Sequence, residues 1–261
     1  FIIYRKKNLI SYIYTKEGWI LGIFLYLSYF FQTIGLNLTA PSKAAFITGL
    51  SVPLVPIFLL VFWRAKIALI NLLWAIMGFI GLALLTINLR NSLTVNIGDI
   101  IVIGTAITVA FHIIITGIYS KRIDEAYLLS SQFFIMSILA TLMVILFESP
   151  KSFISINLTF QVMLALFITI LFATIYAFTL QTYSQKKGIS PTIVALIFTL
   201  EPVFALFTSL VLQREILTLQ GAVGSLIIFL AIFFSVLTQS KKIPEDSIKP
   251  TPSLEYYHDT F

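Results

Sequence analysis

Glu201 is the residue in this sequence whose chemistry fits its surroundings least. It is the one charged residue in the apolar stretch 188–213, and the helix-breaking Pro202 follows it directly. An unpaired charged carboxylate at the centre of a membrane helix costs about 2.5–3.5 kcal/mol on insertion scales. We therefore expect a buried side chain with one of three roles: exchanging a proton with a gradient across the membrane, pairing with a substrate amine, or donating a hydrogen bond that joins two helices.

A histidine and three threonines form a second polar pattern. They recur at steps of three, four and four residues, which places them on one helical face: Thr105, Thr108, His112 and Thr116. Polar faces of membrane helices point into the bundle or into a wet cavity. For the threonines we favour hydrogen bonds between helices, whereas His112 is either a satisfied donor or a titrating group in a solute pathway.

A third polar pattern runs along residues 18–42 in the same rhythm: Gly22, Tyr26, Tyr29, Thr33 and Asn37. Gln32 lies on a neighbouring face, and an internal repeat pairs it with Gln181. Amide side chains can bind the polar groups of a solute. We expect six residues to line a solute pathway or to take part in its coupling: Glu201, His112, Gln32, Gln181, Tyr26 and Asn37.

Common catalytic motifs are missing from the sequence. It has no cysteine and no GxSxG, HExxH, phosphate-loop or CxxC pattern. Metal or acid–base chemistry would need a cluster, whereas the apolar stretches offer one histidine and one glutamate. We therefore expect no catalytic residue, metal or cofactor, and keep an intramembrane enzyme using His112 and Glu201 as an alternative. A channel is disfavoured because the sequence shows no ring of charge or filter motif.

The elements that must position these residues are membrane helices. Of the 261 residues, 59% are hydrophobic and 11% charged, with a mean hydropathy of +1.00, which is typical of a membrane protein. Cutting the chain at its charged residues leaves eight stretches long enough to span a bilayer: 18–42, 44–63, 67–89, 100–120, 126–147, 152–185, 188–213 and 216–240. Their continuous apolar character predicts a polytopic all-α bundle, because barrel strands would alternate.

Basic residues indicate how the helices are oriented. When successive loops are assigned to opposite sides, 13 of the 17 basic residues fall on one side and four on the other: Lys43, Arg90, Lys151 and Arg214. This predicts that both ends of the chain are cytoplasmic, in a multi-pass protein of a cell membrane, most simply a bacterial inner membrane. The placement also accounts for the net charge of +6, so no nucleic-acid partner is expected. We expect residues 1–17 to be a cytoplasmic segment and 241–261 a flexible cytoplasmic tail.

An internal repeat appears when the chain is shifted against itself by 149 residues. Residues 32–58 then align without a gap to 181–207, pairing Gln32 with Gln181 and Pro53 with Pro202. We predict a first repeat at 18–90 with three helices and a second at 98–240 with five. By this offset the first repeat would begin about 50 residues before Phe1, so we expect a ten-helix parent with two further helices. Two five-helix copies must be inverted, with a substrate site near the midplane between the halves.

Two stretches carry a resemblance to a known family: "ILGIFLYLSYFFQTIGLNLTAPSKAAFITGLSVPLVP" (20–56) and "SPTIVALIFTLEPVFALFTSLVLQREILTLQGAVGSLI" (190–227). They resemble the EamA branch of the drug/metabolite transporter superfamily, over nearly the whole chain apart from the tail. The resemblance implies a carrier for amino acids, other small metabolites or drugs, often acting outward. Residues 213–215 depart from the family pattern after the ninth helix. A lipid flippase is the alternative.

Prolines mark the expected hinge or kink positions. Pro53, Pro56 and Pro202 free the carbonyl groups of the residues four positions earlier, near the middle of the membrane: Gly49, Val52 and Phe198. Small residues such as Gly221 and Ser225 predict close helix contacts, with a homodimer interface as one option. The hypothesis is a secondary transporter that moves a small-molecule substrate, is proton-coupled or amine-binding, and exports it by alternating access in the bilayer.

Overall fold

The computed structural model describes residues 15–86, 95–147, 159–208, 210–211 and 218–239, and all regular structure in these ranges is helical. Eight helical spans in this part of the chain are long and apolar enough to cross a membrane: Lys16–Leu36, Pro41–Phe62, Leu69–Thr86, Ile97–Tyr119, Glu125–Phe147, Phe160–Lys186, Pro191–Thr208 and Leu219–Thr238. The predicted all-α bundle with eight helices is therefore confirmed. The predicted tail, 241–261, and most of the predicted cytoplasmic segment, 1–17, lie outside the described residues.

Three of the eight spans are divided into shorter elements. In chain order the helices are α1 (Lys16–Leu36), α2 (Pro41–Thr48), α3 (Ser51–Phe62), α4 (Leu69–Thr86), α5 (Ile97–Tyr119), α6 (Glu125–Phe147), α7 (Phe160–Ile168), α8 (Ala177–Lys186), α9 (Pro191–Phe198), α10 (Leu200–Thr208) and α11 (Leu219–Gln239). A π-helical segment, Thr169–Tyr176, joins α7 to α8.

The chain divides into two compact units. The first unit comprises residues 1–27 and 115–189, and the second comprises residues 28–114 and 190–261. α1 and α5 each contribute to both units, because the divisions fall within these helices.

In the first unit, α1 lies directly on α6. A Cβ atom added at Gly22 would lie 2.6 Å from the carbonyl oxygen of Gln132, so α1 reaches this distance only because residue 22 has no side chain. Beside this contact the Thr15 hydroxyl donates to the Ser131 hydroxyl at 2.8 Å. α6 and α8 are joined by stacking of Phe133 edge-on against Phe178, with 5.7 Å between ring centroids.

In the second unit, α4 and α11 pack along their lengths through glycines. A Cβ atom added at Gly224 would lie 2.7 Å from the carbonyl oxygen of Gly81, and one added at Gly81 would lie 2.8 Å from that of Gly224. Gln220 also donates to the carbonyl of Leu84 at 2.7 Å. The small residues of α11 therefore contact a helix of the same chain. Gly221, for which we considered a homodimer contact, is buried on this side of α11.

Two spans of the second unit are interrupted in the region of their prolines. α2 ends at Thr48 and α3 begins at Ser51, so the break precedes Pro53. The carbonyl of Gly49, which Pro53 cannot bond, accepts from the N–H of Val52 at 3.0 Å. In the other span α9 ends at Phe198 and α10 begins at Leu200, just before Pro202. Both interruptions therefore fall one turn or less before a proline.

The start of α5 is attached to the α1–α2 turn by an ion pair. The Asp99 carboxylate accepts from Lys43 Nζ at 2.5 Å, from the Thr39 hydroxyl at 2.5 Å and from the backbone N–H of Asn96 at 2.8 Å. The Asn96 side chain in turn accepts from the N–H of Asp99 at 3.0 Å, which makes a reciprocal capping box. Three donors therefore converge on one buried carboxylate.

Candidate functional site

Glu201 lies near the middle of its span and its side chain is exposed at the protein surface. It is about 15 Å along the helix axis from Pro191, in a span about 27 Å long at 1.5 Å per residue. The expectation that its side chain is buried is therefore wrong. Val203 is the buried residue of α10, whereas Glu201 shares the exposed surface of this helix with Phe204, Ala205 and Phe207.

Among the described residues, no cationic side chain makes a salt bridge with Glu201. At mid-membrane depth an exposed carboxylate facing lipid would be unfavourable, so its surroundings must supply water or a cation. The position at the first turn of α10 adds the favourable end of a helix dipole, because Glu201 is the second residue of this helix.

Tyr29 of α1 is the aromatic residue that the structure brings near this carboxylate. The Glu201 carboxylate acts electrostatically on the Tyr29 hydroxyl, and the Tyr29 side chain is itself 44% exposed. A phenol combines a hydrogen-bonding hydroxyl with a ring face that attracts cations. Tyr29 belonged to the polar pattern of residues 18–42, but it was not among the six candidates chosen from the sequence.

Two further candidates of the second unit lie at the end of α1. Gln32 is half-buried and lies in the last turns of this helix, before the regular helix ends at Leu36. Asn37 is exposed and lies in the turn after Leu36, so it does not continue the helical face on which the spacing placed it. The polar pattern therefore extends only to Thr33 as a helical stripe.

His112 lies on the buried polar face of α5. Its side chain is 4% exposed, and it is already engaged with its surroundings. On the same face Thr108 donates to the carbonyls of Gly104 at 2.8 Å and Thr105 at 3.0 Å, so its hydroxyl is satisfied within its own helix. The hydrogen bond between helices that we favoured for this threonine is therefore wrong. The polar face of α5 is consistent with a structural core.

In the first unit the candidates are Tyr26 and Gln181. Tyr26 is half-buried on α1 and makes an interaction within the structure. Gln181 of α8 is buried, and its Nε2 atom has no hydrogen-bond acceptor among the described residues. Gln132 of α6, also buried, was missed by sequence reasoning because its segment shows no polar stripe and the repeat assigns it no partner.

Pro202 directly follows Glu201 in α10, and Pro53 and Pro56 lie on α3 of the same unit. α9 and α10 meet at Thr199, two residues before Glu201. The Thr199 hydroxyl and N–H both turn back to the Leu196 carbonyl, at 2.6 Å and 3.0 Å, which closes the end of α9. Pro56 lies inside α3, where it is buried. Interrupted helices are a common feature of the solute-binding sites of secondary transporters.

Eight spans, two of them interrupted before prolines, define a polytopic helical membrane protein. Residues 96–237 match the EamA-like transporter family. An uncharacterized transporter of Archaeoglobus fulgidus is 33% identical over 217 residues, which are 83% of this chain and 67% of that protein. The chain therefore belongs to the EamA-like transporter family of the drug/metabolite transporter superfamily.

A solved structure supports the same fold. A protein crystal structure superposes with a TM-score of 0.74 over 88% of this chain and 79% of that one, at 17% sequence identity. At this identity the likeness concerns the arrangement of helices alone. The family match over 96–237 overlaps the second repeat that we predicted at 98–240.

Proposed function

We propose that this membrane transporter exports a small solute by alternating access, and that Glu201 is the group that binds the transported cation. The observation that carries the proposal is the exposed Glu201 carboxylate at mid-span, with Tyr29 in its field and a helix break two residues away. The solute is a metabolite, an amino acid or a drug-like molecule. Its positive group is a substrate amine or a coupled proton.

Alternating access is supported by the two interrupted spans of the second unit. A helix broken at Gly49–Leu50 and another broken at Thr199 can each bend with little loss of hydrogen bonding, because the bonds at the break are already rearranged. Pro53 and Pro202 would then act as hinges. Cytoplasmic placement of both chain ends belongs to the same proposal and rests on the uneven division of basic residues.

The experiment is solute flux in proteoliposomes, with and without a pH gradient, comparing the wild type with Glu201→Gln. Loss of a charge-assisted hydrogen bond worth about 1.5–3 kcal/mol predicts a flux about ten-fold or more below wild type. If Glu201 couples transport to protons, the solute flux of the wild type should change with the pH gradient, whereas the flux of the variant should not. If Glu201 is instead the counter-ion of a substrate amine, the variant should fail to transport cationic solutes whether or not a pH gradient is present.

Glu125→Gln is the matched control, since it makes the same chemical change at the edge of the membrane in the first turn of α6. Its flux should remain within about two-fold of wild type, because its pair with Lys186 is partly exposed at a helix end and such pairs contribute little. If Glu201→Gln transports as well as Glu125→Gln under all gradients, both the coupling role and the counter-ion role of Glu201 are excluded.

A further inference from the structure

The first unit contains a group of buried polar side chains on α6 and α8. They are Ser131, Gln132, Gln181, Thr182 and Gln185, all at least nine-tenths buried. Four of them have partners within the protein. Ser131 accepts from Thr15, Thr182 donates to the Phe178 carbonyl at 2.8 Å, and Gln132 and Gln185 each make an interaction, although the Oε1 atom of Gln185 has no donor among the described residues. The remaining donor is Nε2 of Gln181, which finds no acceptor in the described part of the chain.

Two contacts between α6 and α8 set the level of Gln181 in the unit. Lys186 bonds Glu125 at 3.1 Å, and Phe178 packs on Phe133. Because these contacts pair residue 186 with 125 and residue 178 with 133, the two helices are antiparallel. Gln181 therefore lies between the two contacts, at the same height as residue 130 of α6. Gln132 is two residues from that level, about 3 Å along the axis. The two buried amides therefore lie at nearly the same depth in one helix pair.

The π-helical segment Thr169–Tyr176 directly precedes α8, the helix that carries Gln181. A π turn takes more residues than an α turn, because each N–H bonds the carbonyl five residues back. The Thr174 hydroxyl follows this geometry and donates to the Thr169 carbonyl at 3.0 Å. Before and through the segment nearly every side chain is exposed, whereas Gln181, Thr182 and Gln185 after it are buried. Long π-helical stretches are rare and occur frequently at functional sites.

We propose that Gln181 is the hydrogen-bond donor of a solute-binding subsite in the first unit, with Gln132 and Gln185 as its fixed polar neighbours. A buried amide donor without an acceptor among the described residues can take its acceptor from a ligand, which would remove the cost of leaving the donor unpaired. The group it takes is therefore an acceptor oxygen, either a carboxylate or a neutral carbonyl. This subsite recognises a part of the solute different from the positive group assigned to Glu201. The inference rests on the proposed transport function.

A first experiment uses no ligand and measures the melting temperature of the purified full chain in detergent. Gln181→Met keeps the length of the side chain and removes the donor. Because the donor has no partner in the protein, the variant should melt at the wild-type temperature or above it. Gln161→Met makes the same change at an exposed position of α7 and is the control. A melting temperature several degrees below that of both proteins would show a structural partner for Gln181 and overturn the proposal.

A second experiment measures binding by calorimetry with three probes that share an amine. Phenylalanine carries a carboxylate, phenylalaninamide a neutral carbonyl and phenethylamine neither, and equivalent series are built on histidine and leucine. In at least one series the wild type should bind an oxygen-bearing member about ten-fold tighter than the amine alone. Gln181→Met should reduce this preference to about two-fold. The first two probes distinguish carboxylate from carbonyl recognition.

Gln181→Glu is the second variant, since it keeps the shape and replaces the donor by an acceptor. It should weaken the carboxylate probe more than the amide probe, because two carboxylates repel. If the wild type transports the amines but shows no preference for oxygen-bearing probes, the Gln181 inference fails and the transport proposal stands. The Gln181 inference also fails, and the transport proposal also stands, if Gln181→Met still binds the oxygen-bearing probes more tightly than the amine alone. If proteoliposomes carry no member of any series, the transport proposal fails for these solutes and the Gln181 inference fails with it.

Discussion

The Asp99 ion pair offers the sharpest test of the fold, through the substitution Asp99→Asn. In the native structure both carboxylate oxygens are used: one accepts from Thr39, and the other from Lys43 and the N–H of Asn96. Asparagine supplies one acceptor oxygen and places an NH₂ group where the second oxygen was. At least one donor then faces another donor, and Lys43 loses its counter-charge.

The expected loss of stability follows from burial. Asp99 is 5% exposed in its side chain and Lys43 25%, so the freed ammonium group is only partly rehydrated. Hydrogen bonds to charged groups contribute about 1.5–3 kcal/mol each, and breaking a fully buried pair costs about 3–5 kcal/mol. Because Lys43 retains some solvent contact, we expect Asp99→Asn to lower the free energy of unfolding by about 2–4 kcal/mol.

The assay is unfolding in mixed micelles by titration with sodium dodecyl sulfate. A double-mutant cycle with Lys43→Met should give a coupling energy of about 1–3 kcal/mol between the two positions. The control is the Lys186–Glu125 pair, at 3.1 Å with side chains 39% and 23% exposed, where the same cycle should give less than about 1 kcal/mol. The reasoning is refuted if Asp99→Asn costs no more than Glu125→Gln, or if both cycles give equal coupling.

Two further predictions concern backbone geometry and use the same assay. Gly224→Ala should destabilise by about 1–3 kcal/mol, because its methyl group would press on the Gly81 carbonyl and separate α4 from α11. Gly221→Ala, with no atom nearer than 3.2 Å to the added carbon, should cost less, and the reverse order would contradict the packing. Arg64→Gly should stabilise by up to about 1 kcal/mol, since Arg64 has φ 49° where α3 ends. A loss of stability there would show that the arginine side chain matters more than its backbone conformation.

Much of the fold could be predicted because membrane helices are defined by local composition. The charge-free stretches coincide with the eight observed spans, since backbone groups in lipid must be satisfied within one segment. The breaks near Pro53 and Pro202 were also foreseeable, because a proline removes its own N–H wherever it occurs. The resemblance in 190–227 lies within the family match over 96–237.

The environments of single side chains could not be predicted in the same way. Glu201 was expected to be buried because its neighbours in sequence are apolar, yet the face of α10 that it shares is exposed. The helical spacing on which we placed Asn37 extends past Leu36 in the sequence, but α1 ends at Leu36 and the chain turns there. Asp99 belongs to none of the polar patterns in the sequence, although it collects three donors from two segments. Each difference depends on contacts between residues distant in sequence.

The sequence by itself determined that the surroundings of this protein are a lipid bilayer. It also determined the number and length of the membrane-spanning helices and the family to which the chain belongs. These follow from hydropathy and chain length, because a helix needs about 20 apolar residues to cross a bilayer. Only the tertiary structure decided which polar groups are satisfied: it exposed Glu201, buried His112 and left the Gln181 amide without a protein acceptor. The physical reason is that exposure and hydrogen bonding depend on which faces neighbouring helices cover, and the period of one helix does not specify its neighbours.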